Sequence, residues 1–279
     1  MVAHSLKQAL EARNDLTITP YTGGTDLMVW PKENAKYLHL HKVPELKKIT
    51  EDKSNQDKTN ENKTHIRFGA ACTFTEVIAH PLTPKILKEA CKQIGAPAIR
   101  NAGSIGGNIA NGSAKADSAL IFMATDSKLR LASAESERYL PIKDFYLGRK
   151  KLDIKPNELI VEILMPKDGL DNYYYVKVGA RAALAISRVS FAGIADIKDG
   201  IIKNCATAFG AVSDVIIRPD EIDRMLIGKT IEEAKKLKND YLAAMDEFIV
   251  PIKGRVGIEY RKDVCMHLLR DFFEKTILG

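Results

Sequence analysis

The residues best suited to holding a charged ligand run from Arg100 to Ser113, in the order Arg-Asn-Ala-Gly-Ser-Ile-Gly-Gly-Asn-Ile-Ala-Asn-Gly-Ser. Four glycines, three asparagines and two serines fall in these fourteen residues. Glycine loses the most entropy on folding and packs nothing, so a core element does not use it this freely. Such a run serves where backbone must come close to something. Its amides can form a nest for an anion, usually a phosphate; the same composition also suits a tight connection between elements. Two phosphate motifs can be tested. The Rossmann fingerprint needs glycines at relative positions one, three and six after a strand, and no window supplies them. Gly107 and Gly112 have the outer spacing of a P-loop, but Ser113 stands where lysine is required.

A second glycine site lies upstream, Thr22-Gly23-Gly24-Thr25-Asp26-Leu27. It follows the β-prone run Leu16 to Thr19 and precedes an apolar segment, Leu27 to Trp30, able to open a helix. A strand passing through Gly-Gly-Thr-Asp into a helix leaves free amides at the helix start. Two such segments, a domain's length of chain apart, point to one extended diphosphate gripped from two sides.

Other chemistries lack their residues. Cys72, Cys91, Cys205 and Cys265 are far apart with no C-x-x-C pair, so no zinc or iron–sulfur site is expected. His39 and His41 would share one strand face, too few for a metal shell, and read as surface or interface residues. No Ser–His–Asp or Cys–His set has supporting spacing, and no loop carries paired carboxylates. The net charge is +6, but lysines are interleaved with acids, as in Glu232-Glu233-Ala234-Lys235-Lys236. Without a concentrated basic stripe, nucleic-acid binding is not expected. The most apolar stretch, Ala182 to Ala195, is interrupted by Arg188 and is too short for a membrane span. Met1 to Arg13 has no long apolar core of a signal peptide, so a cytoplasmic location is expected. At 279 residues, with 45% hydrophobic and 28% charged, the chain has room for two globular domains.

The elements that must position the glycine sites follow from periodicity. Ser5 caps a helix over 6–13. Strands are expected at 16–19, 37–40, 46–50 and 65–69, with the polar stretch 51–63 as an exposed hairpin loop. Thr73 and Glu76 have capping-box spacing. Ile86, Leu87, Ala90, Cys91 and Ile94 make 84–94 an amphipathic helix, ended by Gly95. The glycine-rich run follows as a loop, then a helix over 114–124 with Asp117 in its first turn, where the helix dipole favours a carboxylate. Strands at 128–132 and 158–165, joined by a short helix near Phe145, lead to a boundary at 166–172. Beyond it, strands at 173–178, 185–197 and 201–212, with a hairpin turn at Asp199-Gly200, make an antiparallel sheet. Helices at 220–227, 231–245 and 259–278 complete an α+β domain.

The pairing of Gly23-Gly24-Thr25-Asp26-Leu27 with the run from Arg100 to Asn111 resembles the FAD-binding (medium) subunit of the molybdenum hydroxylases. These are enzymes of the xanthine dehydrogenase and carbon monoxide dehydrogenase type, with a flavin fold shared with the vanillyl-alcohol oxidase group. Motif order and chain length agree over nearly the whole sequence. Two departures stand out: Thr22 where the family commonly has alanine, and Gly112-Ser113-Ala114-Lys115-Ala116-Asp117 where it commonly has Ala-Ser-Pro before the aspartate. The resemblance implies an α+β chain with a two-lobed FAD-binding domain at 1–166 (lobes about 1–52 and 53–166) and a C-terminal flavoprotein domain at 173–279. It implies FAD held by Thr22, Gly23, Gly24, Thr25, Asp26, Leu27, Asn101, Ser104, Ile105, Gly106, Gly107, Asn108, Ala110 and Asn111. Thr73 would line the flavin site on a third loop, Asp117 would meet the cofactor's hydroxyls, and Lys177, with Arg181, would sit on the covering strand. The implied partners are a molybdopterin-binding large subunit and a small subunit with two [2Fe–2S] clusters, with electrons leaving through FAD to NAD or another acceptor. The competing expectations are a stand-alone FAD-dependent oxidoreductase of the same fold and a flavin-free scaffold subunit.

Overall fold

A computed structural model describes residues 1–31, 33–52 and 64–279. Most of the expected hairpin loop, residues 53–63, lies outside the described residues. Helix α1 (Leu6–Ala12) begins at Ser5, whose hydroxyl accepts from the Gln8 amide. Strands β1 (Ile18–Tyr21) and β2 (Lys36–His39) pair in parallel. The connection between them carries Gly23 and Gly24 and makes only a 3-10 turn, Leu27–Val29, where a longer helix was open to it. Ala9, Leu38, Val43 and Leu46 are buried beneath this unit, together with Leu159 and Val161. The expected strand at 46–50 is split: Pro44–Lys47 is a 3-10 turn and only β3 (Ile49–Asp52) is strand. Pro44 accounts for the turn, since its fixed φ suits the first position of a helix.

The next unit is a five-stranded antiparallel sheet. It contains β3, β4 (His65–Gly69), β5 (Lys128–Ala132), β6 (Glu137–Pro141) and, beyond the ribbon of β7 (Tyr146–Gly148) and β8 (Lys151–Leu152), β9 (Leu159–Pro166). Their order is β3-β4-β9-β5-β6. Central β9 is buried on both faces except at Glu162, which pairs with Arg67 at 3.0 Å, and at its last residue Pro166. That double burial is why its sequence is apolar on both faces, with Glu162 the one charged residue, and not an alternating one. Helices α2 (Phe74–Ala79), α3 (Lys85–Lys92), α4 (Pro97–Ala102), α5 (Ile105–Ala110) and α6 (Asp117–Ala124) come between β4 and β5. The short α7 (Ile142–Phe145) follows β6. Every residue of α6 is buried, as suits a helix apolar all round. Its Ala119 and Phe122 share one core with Ile163 of the five-stranded sheet and with Ala192 and Ala208 of the C-terminal sheet.

That second sheet has the order β10 (Tyr173–Val178), β11 (Val189–Lys198), β12 (Ile201–Gly210), all antiparallel. The strand expected from 185 starts only at Val189. Asp199 and Gly200 turn between β11 and β12 with φ of 53° and 71°, the two positive values of a type I′ hairpin. Helix α8 (Asp220–Asp223) is shorter than the periodicity suggests. Phe191 and Phe209 of the sheet pack against Tyr241 and Met245 of α9 (Ile231–Phe248) and Leu269 and Phe272 of α10 (Ile258–Phe272). The last helix changes to a π-turn at Phe273–Ile277. The chain is α+β, with a smaller C-terminal domain of antiparallel sheet and helices.

Candidate functional site

A cleft of about 350 Å³ opens between the β1–β2 connection and the α4–α5 segment. Thr22 to Leu27 form one wall, and Ser104, Gly107, Asn108, Ala110 and Asn111 the other, with Tyr21 and Phe74 between them. The walls meet because glycine lets them. A Cβ on Gly23 would collide with the Ala102 carbonyl, and one on Gly106 with Ala70. Thr22 Oγ1 and Ser104 Oγ, 2.7 Å apart, tie the two segments by a direct hydrogen bond. Gly24 has φ of 65°, and a Cβ there would run into the Tyr21 ring. That ring is held in place by Tyr37 and His39, with centroids 5.7 and 4.7 Å away.

The glycine-rich run is not the open loop its composition implied. Pro97 begins α4, and Ser104 caps α5 by accepting from the Gly107 amide at 3.1 Å. The other amides of the first turn of α5 are also spent. Ile105 donates to the Cys72 carbonyl at 3.0 Å, Gly106 to Ala70 at 2.9 Å and Asn108 to Ser104 at 2.9 Å. Backbone donors are rarely left without partners, so the opposite wall stands out. Among the described residues the amides of Gly23, Gly24, Thr25 and Asp26 have no acceptor within the chain. The cleft therefore offers free donors from one wall and hydroxyl and amide side chains from the other.

Six of the residues expected at the site are not on the cleft wall. Ile105 and Gly106 are buried in the core. Thr73 caps α2 in a complete capping box with Glu76. Asn101 accepts from the Thr75 hydroxyl at 2.6 Å on the surface. Asp117 and Lys177 are bonded to each other at 2.7 Å, with side chains only 6% and 8% exposed. Ser187 donates to the other Asp117 oxygen at 2.7 Å, and Lys177 also donates to the Gln93 carbonyl at 2.9 Å. Burial pushes the Asp117 carboxyl up, against the pull of Lys177. The pair fastens the start of α6 to β10. Arg181 donates to the carbonyls of Ala183 and Leu184 in its own loop. Tyr21, Phe74 and Ser187 were not foreseen. Ser187 lies 70 residues from Asp117, and no local pattern links the two.

The four cysteines are free and buried, and burial pushes the Cys72 and Cys265 thiols up to about 12, so neither is a nucleophile at neutral pH. Among the described residues no group of three or more His, Cys, Asp or Glu side chains could hold a metal ion. No described helix is long and apolar enough to cross a membrane.

Fold and cleft define a two-domain α+β protein without a Rossmann sheet, whose first domain offers unspent backbone amides in a cleft. Residues 1–168 match the FAD binding domain in molybdopterin dehydrogenase, and residues 174–276 match the CO dehydrogenase flavoprotein C-terminal domain. The chain belongs to that family, as an FAD-binding subunit of the molybdenum hydroxylases and a component of an oxidoreductase. It is 28% identical to the xanthine dehydrogenase FAD-binding subunit of Escherichia coli, over 91% of this chain and 86% of that one. It is 28% identical to the glyceraldehyde dehydrogenase medium chain of Sulfolobus acidocaldarius, over 98% and 96%. Carbon monoxide dehydrogenase from Hydrogenophaga pseudoflava shares the fold with a TM-score of 0.86 at 21% identity, over 99% of this chain and 95% of that one.

Proposed function

We propose that the cleft between Thr22–Leu27 and Ser104–Asn111 holds the diphosphate of FAD, and that the chain is the electron-transfer subunit of a molybdenum-containing hydroxylase. The observation that carries this is the run of four unspent amides, Gly23 to Asp26, along one wall. Amides left without acceptors along a cleft wall suit an anion, and Gly24 has the left-handed backbone of this turn. Ser104, Asn108 and Asn111 add polar side chains opposite, and Thr22 adds its hydroxyl on the same wall. FAD takes up two electrons and gives them back singly or as a pair, which is the chemistry it supplies when bound. This chain's residues bind and orient. Asp117, Lys177 and Ser187 act at one remove, by fixing the C-terminal sheet against α6.

The complete enzyme in this reading contains a molybdopterin-binding large subunit and a small subunit with [2Fe–2S] clusters, and delivers electrons to NAD or another acceptor in the cytoplasm. The relatives support the assembly, being named FAD subunits and medium chains. The FAD-binding unit takes 1–166, with lobes about 1–52 and 53–166, and the C-terminal domain 173–279. The purified chain is expected to take up one FAD and to contain neither iron nor molybdenum. Turnover of a small substrate by the isolated chain would contradict the subunit role, and failure to take up FAD would contradict the site.

A further inference from the structure

One wall of the cleft ends at Asn111, the residue that closes α5, and a separate piece of chain is fastened there. The turn between β7 and β8 carries Arg149 and Lys150. Tyr146 of β7 donates to the Ile109 carbonyl at 3.4 Å, and Lys150 Nζ donates to the Asn111 carbonyl. Gly112 makes this approach possible. It has φ of 63°, and a Cβ there would come within 3.3 Å of Lys150 Cα and of Leu152 Cδ2. Lys150 itself has φ of 57°, a left-handed backbone that is costly for a residue with a side chain and persists where its surroundings hold it.

Lys150 makes a second bond, from Nζ to Asn111 Oδ1 at 2.6 Å. An ammonium has three donors and no acceptor, so the end of the amide that meets it is the oxygen. The NH2 end is left over, and among the described residues it has no acceptor. Asn108 on the same wall is less constrained. Its Oδ1 accepts from the Ser118 hydroxyl at 2.7 Å, and a hydroxyl can equally accept from an NH2 end. The two ends of an amide are alike in shape and opposite in chemistry. An NH2 facing a phosphate donates to it, whereas an oxygen in the same place repels it.

We infer that Lys150 is a positioning residue for the cofactor: by occupying Asn111 Oδ1 it fixes the amide with its NH2 end available to the diphosphate. The inference rests on the reading of the cleft as the flavin site. Lys150 acts through Asn111 and not as a phosphate ligand, because two of its three donors are spent on that residue. Without the lysine the amide is free to turn over, and FAD has to order it on binding. Ordering one such side chain weakens binding about two- to twelvefold. Losing the amide itself removes a bond to a charged group and weakens binding at least about tenfold.

The test is a double-mutant cycle on the full chain, read as FAD affinity by flavin fluorescence. Lys150 is exposed, so Lys150→Met alters a surface side chain. It should weaken FAD binding about two- to twelvefold, and Lys150→Arg, which keeps a donor-only group, should restore affinity to within about twofold of the parent. Asn111→Ala should cost at least about tenfold, and adding Lys150→Met to it should cost less than about twofold more. A role in the fold, or a direct charge effect on phosphate, would instead weaken binding equally on both backgrounds. Lys150→Met within about twofold of the parent overturns the inference. So does a loss that persists at full size in the Asn111→Ala background, or a Lys150→Arg chain as weak as Lys150→Met. A parent chain that takes up no FAD refutes the flavin reading and this inference with it, whereas a flavinated parent with an unaltered Lys150→Met affinity refutes the lysine's role alone.

Discussion

Replacing Gly24 by valine should separate flavin binding from folding. The residue has φ of 65°, and a Cβ there would meet the Tyr21 ring, which Tyr37 and His39 hold from the other side. A β-branched side chain in that conformation costs about 1–3 kcal/mol. Shifting the backbone to relieve it turns away the neighbouring amides. Each amide bond to phosphate contributes about 1.5–3 kcal/mol, so losing two costs about 3–6 kcal/mol and weakens FAD binding by about 10²–10⁴-fold. The apo chain should lose only the backbone strain, because the half-exposed Gly24 lies outside the buried clusters. Gly200→Val is the matched control: φ is 71° and nothing lies within 4 Å of a Cβ. It should cost similar stability and leave FAD binding unchanged. The assay is FAD titration by flavin fluorescence beside urea denaturation of each apo-protein. An affinity for Gly24→Val within about threefold of the parent would refute the reasoning, since even one lost bond exceeds that.

Gly107→Val acts differently, because Gly107 has no positive φ; its Cβ would sit 2.9 Å from Ser104 Oγ and 3.2 Å from Thr22 Oγ1, crowding the bond that joins the walls. A fall in FAD affinity of about tenfold is expected by the same titration, with the apo melt lowered by a few degrees at most. Asp117→Asn leaves Lys177 buried without its counter-charge and should destabilise the apo chain by about 3–5 kcal/mol in urea denaturation. Acid should destabilise the fold in part through Glu158. Burial opposes its ionisation, but hydrogen bonds from Arg138 and the Lys155 amide outweigh that and hold the carboxyl below its ordinary 4.5. Its stabilising contribution is thus present above pH 4.5 and lost as pH falls through the lower folded value. Glu158→Gln should flatten the dependence of urea midpoints on pH below that point.

Local signals in the sequence were sufficient wherever local chemistry decides the structure. Ser5 caps α1, Thr73 and Glu76 close a capping box, and Asp199-Gly200 turns a hairpin, each from side chains within four residues. The apolar spacing of α3 and the apolar run of β9, broken only by Glu162, also show their burial directly. The glycine-rich run misled because glycine's low helix propensity was outweighed by distant partners. The carbonyls of Ala70 and Cys72 take the Gly106 and Ile105 amides and hold α5 in place. Asp117, Lys177 and Ser187 come from α6, β10 and the loop ahead of β11, and only the folded chain assembles them.

Amide hydrogen exchange on the chain with and without FAD tests the central claim most directly. Free amides exchange readily, and a phosphate that accepts from them slows the exchange. FAD should protect the amides of Gly23 to Asp26, which have no acceptor in the chain. Those of Ile105 to Asn108, already bonded internally, should change little. Bound FAD with exchange across Gly23 to Asp26 unaltered would contradict the account.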